Sequence, residues 1–355
     1  MIQLWGGSVY SFGKSTFSAI KKEFMNRLGI KSFSKTAGIT TAGITLVAVF
    51  TGGLMPDKVN ALEETFFGFV TDGNNYTILN VPESLETSAR SIDGTNIVGW
   101  YKDNQGNARG FLYDGVTWNY IDVPNSTFTH AYGIDGNNIV GWYGDTSNQR
   151  RGYLYNGVTW NTLDFPGAEA TAAYGVQGGN IVGAYREGGT DHGYLYNGTT
   201  WTNLDFPGST LTYAFGISNN NIVGLYLDAN GVENGFLYDG TTWNTLNFPG
   251  AKGTGVVGID GNNLVGYYRK SPNGLAHGFL YDGTTWKALD DAPGATDTVP
   301  TDISGNYIVG FASVKSPEPS SILSLLALGT LGATSTLKRK LKSSKSTGQE
   351  TTKVG

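Results

Sequence analysis

The sequence predicts an all-β chain, a six-bladed β-propeller built from four-stranded repeats of about 42 residues. Three observations carry that expectation. The hexapeptide GFLYDG stands at 110–115, 235–240 and 278–283, and GYLYNG stands at 152–157 and 193–198. The glycines that open these copies, Gly110, Gly152, Gly193, Gly235 and Gly278, are spaced by 42, 41, 42 and 43 residues, and Gly68 opens a degenerate first copy 42 residues earlier. The composition, with 52 glycines, 13% aromatic and only 15% charged residues, suits many short strands joined by tight turns and is too apolar for a disordered chain.

Each copy divides into four strand-like runs, for which residues 110–143 serve as the example. Run A is GFLY, followed by Asp114-Gly115. Run B is VTWNYIDV, closed by Pro124, which has no N–H to give to a ladder. Run C is HAYGI, followed by Asp135-Gly136, and run D is NIVGWY. Asp-Gly or Asn-Gly between apolar runs is a hairpin signal, and it predicts type I′ turns here. Read this way, each repeat is a four-stranded antiparallel meander, unable to bury both faces alone and stable only when packed against its neighbours around an axis. An open solenoid of the same sheets is the alternative. Trp118, Trp160, Trp201, Trp243 and Trp286 share one position in run B and are expected to pack the blades. The glycine of the IVG motif in run D, at 99, 141, 183, 224, 266 and 310, predicts close approach of backbones.

The two ends read as addresses. Arg27, Lys31 and Lys35 precede a small, apolar, uncharged stretch from Thr36 to Leu54, and Val59-Asn60-Ala61 offers a signal-peptidase cut after Ala61. Residues 1–61 are thus expected to be a signal peptide with an N-terminal extension, with Met25 an alternative start that gives a signal of ordinary length. The repeats occupy 62–314. Residues 315–355 form a tail in which Pro317, Glu318 and Pro319 precede an uncharged segment, 322–337, and then a basic cluster of Lys338, Arg339, Lys340 and Lys342. As a helix, that segment spans roughly 24 Å against a hydrocarbon core of about 30 Å, and the basic cluster would stay cytoplasmic.

This tail resembles the PEP-CTERM sorting domain of bacterial surface proteins, over residues 316 to about 342. The resemblance implies recognition through Pro317, Glu318 and Pro319 by an exosortase-type sorting enzyme, with transient membrane anchoring by the hydrophobic helix. The segment departs from the family pattern in its Ser, Thr and Gly content and in the 13-residue polar tail after Lys342. The repeats resemble the HAF-type extracellular repeats of bacterial surface proteins, through His192-Gly193-Tyr194-Leu195, His277-Gly278-Phe279-Leu280 and AYGIDGNNIVG at 131–141. That resemblance implies a repeat fold at the cell surface and no particular ligand or reaction.

Charge and residue usage exclude several functions. There is no cysteine, so thiolate chemistry, zinc–thiolate sites and disulfides are absent. Residues 62–315 hold 25 acidic and 11 basic residues, a net −14, which argues against nucleic acid as a partner. The three histidines, His130, His192 and His277, make no metal-binding motif, and no nucleophile elbow, phosphate loop or zinc helix is present. Asp122, Asp164, Asp205 and Asp290 recur near the end of run B, with Asn80 and Asn247 in the other copies; they read as turn caps, with a Ca²⁺-binding rim as the alternative. Neither a cofactor nor a catalytic residue is otherwise indicated.

In a meander the A–B and C–D turns share one face, and the B–C and D–A loops share the other. The first set is monotonous and the second varies, so a ligand is expected on the second face. Phe128, Arg150, Arg151, Tyr213 and Arg269 are the candidates there. The sequence therefore leads to an exported surface or extracellular-matrix protein, a non-enzymatic propeller associated with extracellular polysaccharide. The alternative is a hydrolase or lyase acting on carbohydrate from the same face, with Asp290-Asp291 as its off-pattern acidic pair.

Overall fold

The computed structural model describes residues 64–315. The expected signal segment with Ala61, the Pro317-Glu318-Pro319 motif, the hydrophobic segment and the basic cluster lie outside the described residues.

Twenty-four strands form six four-stranded antiparallel sheets among the described residues. β1 (Glu64–Thr71) and β2 (Tyr76–Leu79) come first among the described residues. Blade one is β3 (Glu86–Asp93), β4 (Asn96–Lys102), β5 (Ala108–Tyr113) and β6 (Trp118–Ile121). Blade two is β7 (Phe128–Asp135), β8 (Asn138–Gly144), β9 (Arg150–Tyr155) and β10 (Trp160–Leu163). Blade three is β11 (Ala170–Gln177), β12 (Asn180–Glu187), β13 (Thr190–Tyr196) and β14 (Trp201–Asn203). Blade four is β15 (Leu211–Ser218), β16 (Asn221–Leu227), β17 (Glu233–Tyr238) and β18 (Trp243–Leu246). Blade five is β19 (Gly253–Asp260), β20 (Asn263–Arg269), β21 (Ala276–Tyr281) and β22 (Trp286–Ala288). Blade six joins β23 (Asp297–Ser304) and β24 (Tyr307–Lys315) to β1 and β2. The six innermost strands, β3, β7, β11, β15, β19 and β23, neighbour one another around the axis, which closes the ring and sets aside the open solenoid.

The blade is not the sequence repeat, and here the sequence reading is corrected. Runs C and D of one repeat pair with runs A and B of the next, as in the β3-β4-β5-β6 order. Run B cannot continue into run C within one sheet because the chain turns away at its Pro. In Val81-Pro82-Glu83-Ser84 the amide of Ser84 donates to the Val81 carbonyl and Glu83 sits at φ 61°; Asn125, Gly167, Gly208, Gly250 and Gly294 repeat that positive φ. A threonine at the second position of each inner strand fixes the bend. The hydroxyls of Thr87, Thr129, Thr171, Thr212, Thr254 and Thr298 accept the amides of Val81, Val123, Phe165, Phe206, Phe248 and Ala292 at 2.9–3.1 Å. All six threonines are buried, so losing one hydroxyl strands a buried N–H at a cost of about 1–3 kcal/mol. The offset leaves β1 and β2 to complete the last blade, with β1 paired along β24 from Glu64↔Lys315 to Thr71↔Ile308.

A second ring of hydrogen bonds joins neighbouring blades at their C–D turns. The side chains of Asp93, Asp135 and Asp260 accept the turn amides of Gly136, Gly178 and Gly305 at 2.7–2.8 Å. Ser218 accepts from Gly261 at 3.2 Å, Gln177 accepts from Asn219, and Ser304 accepts from Gly94 at 3.3 Å, returning to blade one.

The repeated hexapeptide is a local machine. In GFLYDG the aspartate Oδ1 of Asp114 accepts the amides of Val116 and Thr117, and only Gly115, at φ 94°, is left-handed. The turn therefore follows the II′ pattern, with glycine first, rather than the expected I′ pattern, because the aspartate caps the turn without entering positive φ. The Tyr113 hydroxyl donates to the Gly115 carbonyl at 2.8 Å, and its ring lies tilted against Trp118 at 4.5 Å. The equivalent Tyr–Trp pairs lie at 4.3–4.4 Å, so the tryptophans clamp the outermost strand and stay half-buried. The IVG glycine has the close approach the sequence predicts. A Cβ on Gly183 would sit 2.1 Å from the Ala172 carbonyl oxygen and 2.8 Å from the Tyr194 ring.

The seam that closes the ring holds a buried acid. Asp302 of β23 accepts the Ser91 hydroxyl at 2.5 Å and the Ile92 amide at 3.1 Å from blade one. Burial raises its pKa from 3.8 to about 6, against the pull of those hydrogen bonds. The folded state thus holds this proton more tightly than the unfolded chain. The resulting stability is full below about pH 4, falls as pH rises towards 6, and is flat above. Asp302→Asn removes that slope. Denaturant titrations of both proteins are expected to show the variant gaining on the parent by up to about 3 kcal/mol between pH 4 and pH 7. A difference that stays constant with pH would contradict this.

Candidate functional site

Every inner strand carries a β-bulge at one position, between Ala89 and Ser91 in blade one and at the matching place in the other five. A bulge re-aims the extra side chain. The extra residues are Arg90, Tyr132, Tyr174, Phe215, Val257 and Thr301, six different neighbourhoods on one frame. Around them stand the residues after the IVG glycine on strand D and those at the start of strand A. On the D strands these are Trp100, Trp142, Ala184, Leu225, Tyr267 and Phe311. The pairing registers place these positions on one side of each sheet, at the end where the B–C and D–A loops emerge.

The side chains form a continuous arc from blade six to blade four. The Arg90 guanidinium lies 4.5 Å from the Phe311 ring, 4.9 Å from Tyr132 and 6.0 Å from Trp100. Trp100 stacks on His130 at 4.7 Å with an interplanar angle of 12°, and His130 meets Trp142 at 4.3 Å. Burial, then the charges of Arg90 and Lys102, push His130 down to about 3, so it is a neutral ring at ordinary pH. The Arg150 guanidinium covers Trp142 at 5.6 Å and reaches Asp191 at 3.8 Å. Asp191 takes two 2.8 Å hydrogen bonds from Arg186 and one from the Tyr213 hydroxyl of blade four. Across the mouth the Tyr267 hydroxyl donates to Glu233, and Arg269 lies 3.7 Å from the same carboxylate and 5.1 Å from the Tyr267 ring. A cleft of about 310 Å³ lies between blades six and one, past Phe66 and Glu86, and its only charged group, Glu86, is tied to Lys102 at 2.9 Å.

The candidate residues separate cleanly. Arg150 and Tyr213 belong to this arc, Arg269 stands across the mouth beside Glu233 and Tyr267, and Phe128 packs edge-on against Trp142 at 5.3 Å. Arg151 points away. It pairs with Asp145 at 3.2 Å and Asp164 at 2.6 Å near the outer edge. That outward pairing also explains the recurring run-B acids. Arg109–Asp122, His192–Asp205 and His277–Asp291 are the same contact in other blades, and Asn247 reaches Asn234 at 2.8 Å. They bridge strand A to the end of run B rather than cap turns. In the last copy the partner is Asp291, not Asp290, because one residue is inserted there. Asp228, in the D–A loop of residues 228–232, accepts the amides of Asn230 and Val232. Among the described residues no three His, Asp or Glu side chains converge in a metal-binding group.

The sequence reading missed Arg90, Trp100, His130, Trp142 and Asp191. A signal was present. Aligned within the chain, the runs SARSID, HAYGID, AAYGVQ, YAFGIS, GVVGID and VPTDIS keep their frame while their first and third columns change in chemistry.

No family model and no curated protein matches the chain. Solved structures match the ring. A putative TolB from Agrobacterium tumefaciens is 14% identical over 72% of this chain and 100% of that one, with a TM-score of 0.55. The six-bladed fucose-recognising lectin of the fungus Aleuria aurantia is 17% identical over 64% of this chain and 88% of that one, with a TM-score of 0.42. The Trypanosoma rangeli sialidase is 11% identical over 67% and 56%, with a TM-score of 0.41. At these identities the likeness is one of fold, the six-bladed propeller.

The two kinds of charged contact predict different losses. Asp191 is 4% exposed and balances two arginines, so Asp191→Asn is expected to lower stability by about 2–3 kcal/mol. The Arg151 contacts are far more exposed, 32% at Arg151, 23% at Asp145 and 43% at Asp164, and Arg151→Ala is expected to cost less than about 1 kcal/mol. Chemical denaturation midpoints check both, and equal losses would contradict the assignment.

Proposed function

We propose that this is an exported, surface-destined binding protein that holds extracellular polysaccharide at the axial mouth on its variable face, without altering it. The observation that supports this is the arc from Arg90 to Tyr213, in which rigid aromatic faces alternate with arginines on a scaffold that is otherwise monotonous. Aromatic planes stack against sugar rings, and arginines give directed hydrogen bonds. Export through the N-terminal signal, sorting through Pro317-Glu318-Pro319 by an exosortase-type enzyme, and transient anchoring by residues 322–337 are part of this reading and rest on the sequence resemblance.

A hydrolase or lyase is the second reading, favoured by two carboxylate–tyrosine pairs with arginines beside them, Asp191–Tyr213 and Glu233–Tyr267. Their electrostatics suit a binding wall better. Burial would raise Asp191, but the Arg186 and Tyr213 hydrogen bonds and the Arg150 charge hold it below the usual carboxylate range, the wrong direction for a general acid. Burial and the neighbouring acids push Tyr213 and Tyr267 well above 10, so neither hydroxyl is prepared to ionise.

Co-sedimentation of the full chain with the producing cell's own extracellular polysaccharide, scoring bound protein and released sugar together, tests the reading. Bound protein without released sugar is the expected result. Released sugar would establish the second reading, and neither binding nor release would remove both.

A further inference from the structure

Among the six arginines of the described residues, Arg90 alone has no carboxylate within ion-pair reach. Arg109, Arg150, Arg151, Arg186 and Arg269 each lie within 4 Å of one. The repeat domain has 25 acids to choose from, yet none faces Arg90. The Arg90 Nε is buried with no hydrogen-bond partner, and the Trp100 Nε1 and His130 Nδ1 atoms beside it are in the same state. Buried donors left unmatched are uncommon in folded proteins and cost free energy. The residue stands at the bulge of an innermost strand, where its side chain is aimed at the axis, and three aromatic rings wall it. These rings stabilise the cation without supplying an acceptor. Burial pulls Arg90 below the ordinary guanidinium value, but an arginine stays charged at neutral pH.

We propose that Arg90 anchors the carboxylate of a sugar acid at the axial mouth, between the faces of Trp100, Tyr132 and Phe311. The guanidinium fork matches a planar carboxylate with two parallel hydrogen bonds, and the aromatic rings beside it take the sugar ring. The neutral His130 adds no competing charge. This inference rests on the proposed binding role and names the class of sugar that role would serve. It also gives an acidic protein a reason to bind an acidic polymer, because the one arginine of the described residues without a carboxylate partner lies at the mouth.

The test is calorimetric titration of the full chain with trigalacturonic acid and with its methyl ester, for the parent and for Arg90→Met. Methionine fills the aromatic cage without charge. The parent is expected to bind the acid at least ten times more tightly than the ester, and Arg90→Met to bind both equally, with a melting temperature no lower than the parent's. Two results would overturn the inference: an acid preference that survives in Arg90→Met, or a melting temperature several degrees lower with binding unchanged, which would make Arg90 a brace of the ring. Binding of the producing cell's polysaccharide with no response to either trisaccharide overturns the sugar-acid inference and leaves the binding reading standing. Loss of binding to all three overturns both.

Discussion

Closure of the ring is the constraint on which the rest depends. A four-stranded sheet of this size cannot bury both faces alone, so every blade needs two neighbours. The offset between blade and repeat makes the chain's first described strands finish its last blade, and the ladder from Glu64↔Lys315 to Thr71↔Ile308 does the work of a covalent lock. With no cysteine in the chain, no disulfide can share that role. The ring of turn hydrogen bonds from Asp93 to Ser304 and the ring of inner threonines carry the same closure through every blade.

A closed frame held by identical contacts frees other positions to differ. Thr, the IVG glycine and the hexapeptide stay constant because each is committed to a backbone amide, a close approach or a turn. The bulge position touches other side chains instead, so it tolerates Arg, Tyr, Phe, Val or Thr on one backbone. The chemistry of the molecule is therefore concentrated at one end of the axis. There Asp191 and Glu233 lie against arginines, and burial keeps Tyr174, Tyr213 and Tyr267 protonated, while Arg90 stands without a carboxylate.

Much of the architecture was legible in the sequence. The period of about 42, the four runs, the turn residues and the two unlike faces follow from hydrophobic runs broken by Asp-Gly, Asn-Gly and Pro. The phase of the blade was not legible. Runs D and A are joined by a short polar loop and runs A and B by a tight turn, and a period has no origin. The II′ pattern was hidden because Asp114 acts through its side chain, a role that the dipeptide alone does not distinguish. Of the residues named for the variable face, Arg150, Tyr213, Arg269 and Phe128 fall at the mouth because they lie at or near the D–A and B–C loops. Arg151 alternates to the opposite side of its strand and meets Asp164 instead. Arg90 escaped notice because a bulge is invisible to a simple two-residue alternation, and the bulge is what turns its side chain to the axis.

The central claim is that an invariant frame presents one variable, ligand-holding mouth. Hydroxyl-radical footprinting of the full chain, with and without the producing cell's polysaccharide, tests it most directly, because aromatic reporters stand at both places. The account predicts that polysaccharide shields Trp100, Tyr132 and Tyr213 while the outer-strand residues Trp118, Trp160, Trp201, Trp243 and Trp286 keep their reactivity. Shielding of the outer tryptophans with the mouth unchanged would contradict it.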